Sequence, residues 1–507
     1  MALARVGQAS AAVALRIAAV FIAGALAVLA LPPFSILISV PITWSALFVL
    51  VHGRGIGTAF CLGWSFGVSH FAFGLWWITE SFMVDPDMFG ALAIPAVFGL
   101  AAFLSVFPAM AMALFASLRV RGPVAAVAFA ACWAGAEWLR GHLFTGFPWN
   151  LAGYALVDYA ALRQTAALVG SYGLSFVTIL VAVLPVVAMR SARRETIVAV
   201  VLLLGLASSA WIFGEIRLAA PEPPLSGTHI RVVQGNVPQR EKWQASKRDE
   251  IVARYLALSA SPGAPDLILW PESAFPGLLD EDKAAQRLIL QALPQGAMLL
   301  TGVPDREHDG SQTRYYNAVQ AYAHGYGLVA TYAKHHLVPF GEYVPFRDWL
   351  PFDRIVGGVA DFSSGPGPRT LALSGLPLVG VAICYEVIFP GHVVDNSARP
   401  DWIFNATNDA WFGMSIGPEQ HLASAQMRAV EEGLPIVRAA NTGISAVIDA
   451  KGRVLDRLET NQTGTIDTRL PGPLSRTLYS RVSDWIVPPL IALIWLMIFM
   501  AARLQRR

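Results

Sequence analysis

Cysteine and charge are the scarce features of this chain. Three cysteines, Cys61, Cys132 and Cys384, occur in 507 residues, and Asp, Glu, Lys and Arg together make up 14%. Two of the three thiols fall in long apolar runs, so the stretch from about residue 221 to 480 holds Cys384 alone and cannot close an internal disulfide. With 55% hydrophobic residues and a mean hydropathy of +0.51, the composition excludes an ordinary soluble enzyme. A formal charge of +2 with scattered arginines offers no basic stripe, which excludes a nucleic-acid partner. Metal-ligand spacing is missing as well: His335 and His336 are adjacent and point apart on most backbones, and no second His or Cys cluster accompanies them. The Gly-rich phrase GSYGLSF lacks the spacing and the following Lys of a phosphate loop. No metal and no cofactor are expected.

What is present is apolar length. Runs at about Ala11 to Leu31, Ile36 to Val51, Ile56 to Ile78, Phe89 to Leu118, Val124 to Trp138, Leu168 to Met189 and Ile197 to Phe213 each come near the ~20 residues that cross a bilayer, and Trp485 to Ala502 closes the chain. Ile36 to Val51 and Val124 to Trp138 are short and would need flanking aromatics, little tilt or a partly re-entrant path. A cleaved signal peptide at the first run is disfavoured, because further spans follow with no soluble domain between them. The segment between the seventh and last runs has ordinary charge, Gly and Pro usage and is large enough for its own core. The expected organisation is residues 1–220 with seven transmembrane helices, 221–480 as an inserted α/β domain, and 481–507 with an eighth helix and a tail.

Arginines order the connections. Arg5 and Arg16, Arg54, Arg119 and Arg121, Arg190, Arg193 and Arg194, and the tail Arg503, Arg506 and Arg507 fall on alternate connections and can all share one face, whereas the loop from Trp77 to Phe89 carries Glu80, Asp85 and Asp87. Positive charge marks the cytoplasmic side, so both termini are expected inside and the α/β domain outside. An unpaired thiol facing an oxidising compartment is a liability unless shielded or used. Glu137, Arg140 and His142 fall near a span end beside GFPWN, where an interfacial structural role is expected.

Three strand-like apolar runs each deliver one ionisable residue. Pro377 to Ile383 ends at Cys384, Tyr385 and Glu386; Asp266 to Trp270 runs into Pro271, Glu272 and Ser273; Leu328 to Ala333 runs into Lys334. Functional groups cluster at the carboxyl ends of such strands in α/β layers. A thiol with an ordinary pKa of about 8.5 needs a base or a cation to react near neutrality. Glu272 can be the base and Lys334 the cation, and an ammonium in a dry site also stabilises the oxyanion of acyl transfer. One acid, one cation and one thiol make a complete acyl-transfer set. Taken singly, each has a plainer reading: a lone Cys as core filler, a solvated Lys, and WPES as a turn with a helix cap.

Order and company change that reading. The chain resembles the nitrilase superfamily, whose members carry Glu, Lys and Cys in this order at the strand ends of an αββα sandwich. Within it, the words TYAKHHLVPFGEYVPF, GVAICYEVIFP, NATNDAWFG and QHLASAQMRAVEEGLPIVRAANTGISAVID resemble the apolipoprotein N-acyltransferases, the membrane branch. GFPWNLAGYA and YGLSF match more loosely. The resemblance implies Glu272 as general base, Lys334 as oxyanion-stabilising residue and Cys384 as nucleophile. It adds Glu342 and Glu386 as supporting carboxylates, and Tyr385 and Trp243 as positions linked to activity. It further implies a multi-pass protein of the bacterial inner membrane, with its catalytic domain periplasmic. The acyl donor would be a phospholipid and the acceptor the amino-terminal amine of a diacylated apolipoprotein, with a Cys384 thioester between them; the reading is of a monomer.

Both such substrates are lipids, so the site would need a mouth. Phe340, Tyr343, Phe346, Trp349 and Phe352 in one loop, and Trp411, Phe412 and Met414 in another, are candidates, with packing of the domain as the alternative. Two other functions compete. A membrane-anchored amidase would let water resolve the thioester, but would need no more than one anchoring helix. A transporter or lipid-binding protein would have no reason to keep Glu272, Lys334 and Cys384 together.

Overall fold

The computed structural model describes residues 2–310, 312–345 and 361–489, with positions 492, 495 and 496. Most of the expected last span, the arginine tail, and Phe346, Trp349 and Phe352 therefore lie outside the described residues. The chain divides into two compact units, one of residues 1–79, 91–220 and 478–507, the other of residues 80–90 and 221–477.

The first unit is helical. Among the described residues six helical stretches are long and apolar enough to cross a membrane: Ala11–Ala30, Ile56–Gly74, Pro86–Leu118, Gly122–His142, Ala166–Arg190 and Arg193–Ala219. Two of the sequence expectations change. The run read as Val124 to Trp138 extends to 21 residues, because Glu137 and Arg140 lie inside the helix rather than ending it. Ser39–Val51 stays at 13 residues, about 20 Å at 1.5 Å per residue, too short to cross by itself. The long third stretch is interrupted at Ser105, whose hydroxyl turns back to the Ala101 carbonyl between the helices Ala93–Leu104 and Val106–Leu118.

With no water to expel between helices in lipid, close packing of small residues has to bring them together. A Cβ at Gly63 would lie 2.6 Å from the Pro108 carbonyl oxygen, so only glycine allows that approach. Helix Gly122–His142 buries a run of alanines, and around it Trp44 packs edge-on against Phe66 and Trp133, with ring centroids 5.8 and 5.7 Å apart. Glu137 Oε1 accepts from Trp133 Nε1 and the Ala152 amide, both at 2.9 Å, while Arg140 donates to the Phe147 and Trp149 carbonyls and lies over the Phe71 ring. These charges hold the GFPWN loop to its helix.

The second unit is an αββα sandwich. One sheet has strands β1 (His229–Gln234), β2 (Leu267–Leu269), β3 (Met298–Asp309), β4 (Gln312–Ala323) and β5 (Gly327–Ala333). The other has β6 (Thr370–Leu371), β7 (Val379–Ile383), β8 (Trp402–Thr407), β9 (Ile436–Ala440), β10 (Ser445–Ile448) and β11 (Val454–Leu458), while β12 (Gly464–Arg469) returns to the first. The orders are β12-β1-β2-β3-β4-β5 and β11-β10-β9-β8-β7-β6. The middle strands β1, β2 and β3, and β7, β8 and β9, run parallel. Strands covered on both faces read as unbroken apolar runs, which is why β2 and β7 were visible in the sequence.

Period-two alternation divides the side chains. Ile230, Val232, Leu267 and Leu269 meet Val379, Val381, Phe404 and Val437 between the sheets. Val233, Ile268 and Leu299 face away, against Ile251, Tyr255 and Ile289 of helices Arg248–Ser259 and Lys283–Ala292. Helix Gly417–Glu432 covers the second sheet and is buried along its length. Parallel strands in register bring their carboxyl ends to one edge, and there Glu272, Lys334 and Cys384 emerge.

Candidate active site

Each strand end has a local reason for its shape. After β2 the chain turns through Ser273 at φ +51°, and the Glu272 backbone lies on β3 so closely that a Cβ at Gly302 would sit 2.4 Å from the Glu272 Cα. After β7, Cys384 takes a left-handed φ of +48°, costly for a residue with a Cβ and kept only where neighbours hold it. Glu386 is one such holder. Its carboxylate accepts from the Ile383 amide at 2.6 Å, from the His335 and His336 amides at 2.7 and 3.2 Å, and from the Tyr332 hydroxyl at 3.0 Å. Burial opposes ionisation of Glu386, but these donors and the His335 ring outweigh it and hold its pKa below the usual range.

His421 is the other holder. Its Nε2 donates to the Cys384 carbonyl at 3.1 Å, and its Nδ1 faces Asp409 Oδ1 at 2.8 Å. Arg438 donates to Asp409 and, at 2.6 Å, to Asn405. Burial raises the cost of the Asp409 charge, yet Arg438 and His421 bring its pKa down to about 2. Cys384, Asp409 and His421 offer ligand-type atoms within 4.8 Å of one another. Asp409 and His421 already bond to each other, to Arg438 and to a carbonyl, so this cluster is a hydrogen-bonded brace for the turn.

The three residues predicted from the strand ends come together with two more. Lys334 Nζ lies 3.7 Å from Glu272 Oε1 and 2.9 and 3.0 Å from the Glu342 oxygens. Asn317, in the middle of β4, donates to Glu272 Oε1 at 2.6 Å and to Glu342 Oε1 at 2.7 Å, and its carbonyl accepts from the Lys334 amide. Glu342 also accepts from the Val338 amide at 2.8 Å. All are buried. Burial lowers the Lys334 pKa, but the charges of Glu342 and Glu272 outweigh that and raise it. At Cys384, burial first and then the Glu272 charge push the thiol up to about 12, with Lys334 and the Thr407 hydroxyl pulling the other way. The resting sulfur is therefore a thiol, and its proton must leave in the reacting complex.

Among the other predicted residues, Tyr385 is buried against His336 and Phe389, at ring distances of 5.7 and 5.0 Å, and burial raises its phenol pKa. Trp243 is half exposed, whereas its neighbour Lys242 is buried with Nζ 3.4 Å from the Glu272 carbonyl oxygen. Phe340 and Met414 are exposed and Trp411 is half-buried. Phe412, expected at a mouth, instead packs edge-on to His421 at 5.5 Å, because the turn Asp409–Phe412 folds back under the helix that follows. Sequence reasoning missed Asn317, Lys242, Asp409, His421 and Arg438. Three of these stand in the quoted words NATNDAWFG and QHLASAQMRAVEEGLPIVRAA, where a buried Asp, His and Arg amid apolar residues was the available signal.

An αββα sandwich carrying Glu, Lys and Cys at its strand ends defines the carbon–nitrogen hydrolase class, and residues 229–477 match that family's description, "Carbon-nitrogen hydrolase". Residues 23–184 match the "Apolipoprotein N-acyltransferase N-terminal domain". Curated relatives described as apolipoprotein N-acyltransferase include one from Bradyrhizobium diazoefficiens, 40% identical over 93% of this chain and 92% of its own length. Others are from Rhodopseudomonas palustris, 37% identical over 95% and 94%, and Caulobacter vibrioides, 38% identical over 91% and 90%. The chain belongs to the apolipoprotein N-acyltransferase family, an acyltransferase branch of the carbon–nitrogen hydrolases, and is an integral membrane protein.

Proposed function

We propose that this chain moves an acyl group from a phospholipid, through a thioester on Cys384, to the amino-terminal amine of diacylglyceryl-cysteine on an apolipoprotein. The observation that carries this reading is the contiguous buried set of Glu272, Lys334 and Glu342, in which Glu342 pairs with Lys334 and the charges of Glu272 and Lys334 act on the Cys384 thiol. Glu272 takes the thiol proton as sulfur attacks the ester carbonyl. Lys334 donates to the oxyanion, which is the point where its retained proton matters. The C–O bond breaks, and the leaving alkoxide of the lysophospholipid takes the proton from Glu272. In the second half the acceptor amine loses a proton to Glu272, attacks the thioester and forms an amide, and the departing thiolate recovers that proton. Glu342 and Asn317 hold the Lys and Glu in place, Glu386 sets the turn that aims the thiol, and Tyr385 and Trp243 flank the site. Phe340, Trp411 and Met414 are the candidates for the lipid mouth in this reading, and Trp349 is a further one outside the described residues. The arginine pattern supports cytoplasmic termini and a periplasmic catalytic domain, and membership of the family supports placement in the bacterial inner membrane.

Mass spectrometry of the purified protein after exposure to phospholipid with a labelled acyl chain tests the scheme. A label on Cys384 that is discharged onto a diacylated lipopeptide is expected. An unlabelled protein under conditions of full turnover, or release of the label only as free fatty acid, would refute it.

A further inference from the structure

A second buried lysine stands at this site. Lys242 ends the turn Gln239–Lys242, is 2% exposed, and has as its hydrogen-bond partner among the described residues only the main-chain oxygen of Glu272, at the long distance of 3.4 Å. No carboxylate pairs with it within 4.0 Å among those residues. A buried ammonium without a counter-ion is expensive, and such groups recur where a site needs the charge. The groups that act on it are Glu272, after β2, and Cys384, after β7; Arg240 and Glu241 share its own turn. Around that pair stand Lys334, Glu342, Asp409 and His421, and they are already matched. Lys334 is divided between Glu342 and Glu272, and Asp409 between Arg438 and His421.

Charge balance then assigns Lys242 a task. Glu272 and Glu342 against Lys334 leave the cluster one negative charge in excess. Moving the thiol proton to Glu272 relocates that excess to sulfur without removing it. We propose that Lys242 is the counter-charge for this excess, a positioning residue that favours the thiolate of Cys384 and acts through Glu272 and the sulfur rather than on substrate. The inference deepens the acyl-transfer reading and rests on it for the biological role of the thiolate. Burial lowers the Lys242 pKa to about 8, with Glu272 and Cys384 partly restoring it, so its charge is lost just above neutrality.

The test reads the thiol directly. In full-length protein carrying Cys61→Ala and Cys132→Ala, so that Cys384 is the sole thiol, the alkylation rate by iodoacetamide is followed from pH 6 to 10 in detergent. Lys242→Met is expected to slow alkylation at least about tenfold below about pH 8, where the lysine carries its proton, and to approach the parent above it, tenfold being the equivalent of one pKa unit. Lys242→Arg keeps the charge at every pH and is expected to lie within about threefold of the parent below pH 8 and to react faster than the parent above it, where the lysine loses its proton. A Lys242→Met profile superimposed on the parent would overturn the proposal. So would a well-folded Lys242→Arg protein slowed about tenfold below pH 8, which keeps the test decisive if the Met variant does not fold. Phospholipid labelling of Cys384 in the parent separates the two claims: its absence would fell acyl transfer while leaving the alkylation result to judge Lys242.

Discussion

The helical unit and the α/β unit both bury charge, and they dispose of it differently. In the helical unit Glu137 and Arg140 are spent on neutral, fixed groups, one accepting a backbone amide and an indole N–H, the other donating to two carbonyls. In the α/β unit the buried charges face one another: Glu272, Lys334 and Glu342 share one network, and Lys242 is left over. A charge satisfied by fixed backbone dipoles has nothing left to give and serves to hold a loop. A charge satisfied by another ionisable group can be redistributed when a substrate arrives, and it keeps the neighbouring pKa values far from their ordinary range.

Removing one carboxylate from the network should break the comparison most visibly. Glu342→Gln keeps the shape but takes away the closest negative charge on Lys334, which then falls wholly to Glu272, the group needed as base. Acyl-enzyme formation, measured as the initial rate of label transfer from phospholipid to Cys384, is expected to drop about 10²- to 10³-fold, the range found when one stabilising group is lost from an acyl-transfer site. The folded protein should remain, because Asn317 can still donate to the introduced amide oxygen. A rate within twofold of the parent would mean that this network holds structure as Glu137 and Arg140 do.

The converse experiment is Arg140→Met. It leaves the Phe147 and Trp149 carbonyls without their donor and uncovers the Phe71 face. The expected cost is about 2–4 kcal/mol of stability, from buried acceptors left unmade. It should be visible as a lower midpoint of thermal unfolding in detergent. Cys384 labelling per folded molecule should be unchanged within about twofold. A large loss of labelling at intact stability would move Arg140 from scaffold to chemistry.

The same distinction explains what the sequence made legible. Glu272, Lys334 and Cys384 could be found because each follows an apolar run that ends abruptly; for Glu272 and Cys384 the run is a buried strand of a parallel set, whereas Lys334 follows β5, a partly exposed edge strand paired antiparallel to β4. Glu342 and Glu386 came through resemblance and not from any periodicity. Asn317 was hidden because a neutral amide inside β4 looks like any outward residue until pairing with β3, where it stands opposite Pro304, fixes which side it takes. Lys242 was hidden within QREK, a run that reads as solvated, and attention fell on the Trp beside it. The helix Gly122–His142 was cut short because a hydropathy window treats Glu137 and Arg140 as an end, whereas hydrogen bonds to the backbone let the helix carry them inside.

The smallest effect concerns stability alone, and its sign can be worked out. Asp409 ionises in the folded protein at about 2 against an ordinary 3.8, since Arg438 and His421 outweigh the burial cost. A carboxylate with a depressed folded pKa contributes stability above its unfolded value and loses it as pH falls towards the folded one. The difference corresponds to about 2 kcal/mol at neutral pH, lost between about pH 4 and pH 2. Because His421 joins Asp409 to the Cys384 carbonyl, the same protonation should loosen the strained turn that carries the thiol. Denaturant unfolding of the full chain in detergent is expected to show a midpoint falling over that window. Asp409→Asn should start from a lower midpoint at pH 6 and show a flatter acid limb. Parallel acid limbs in parent and variant would mean that the turn is held by Glu386 alone, and that the second unit, too, keeps charges whose only work is to brace.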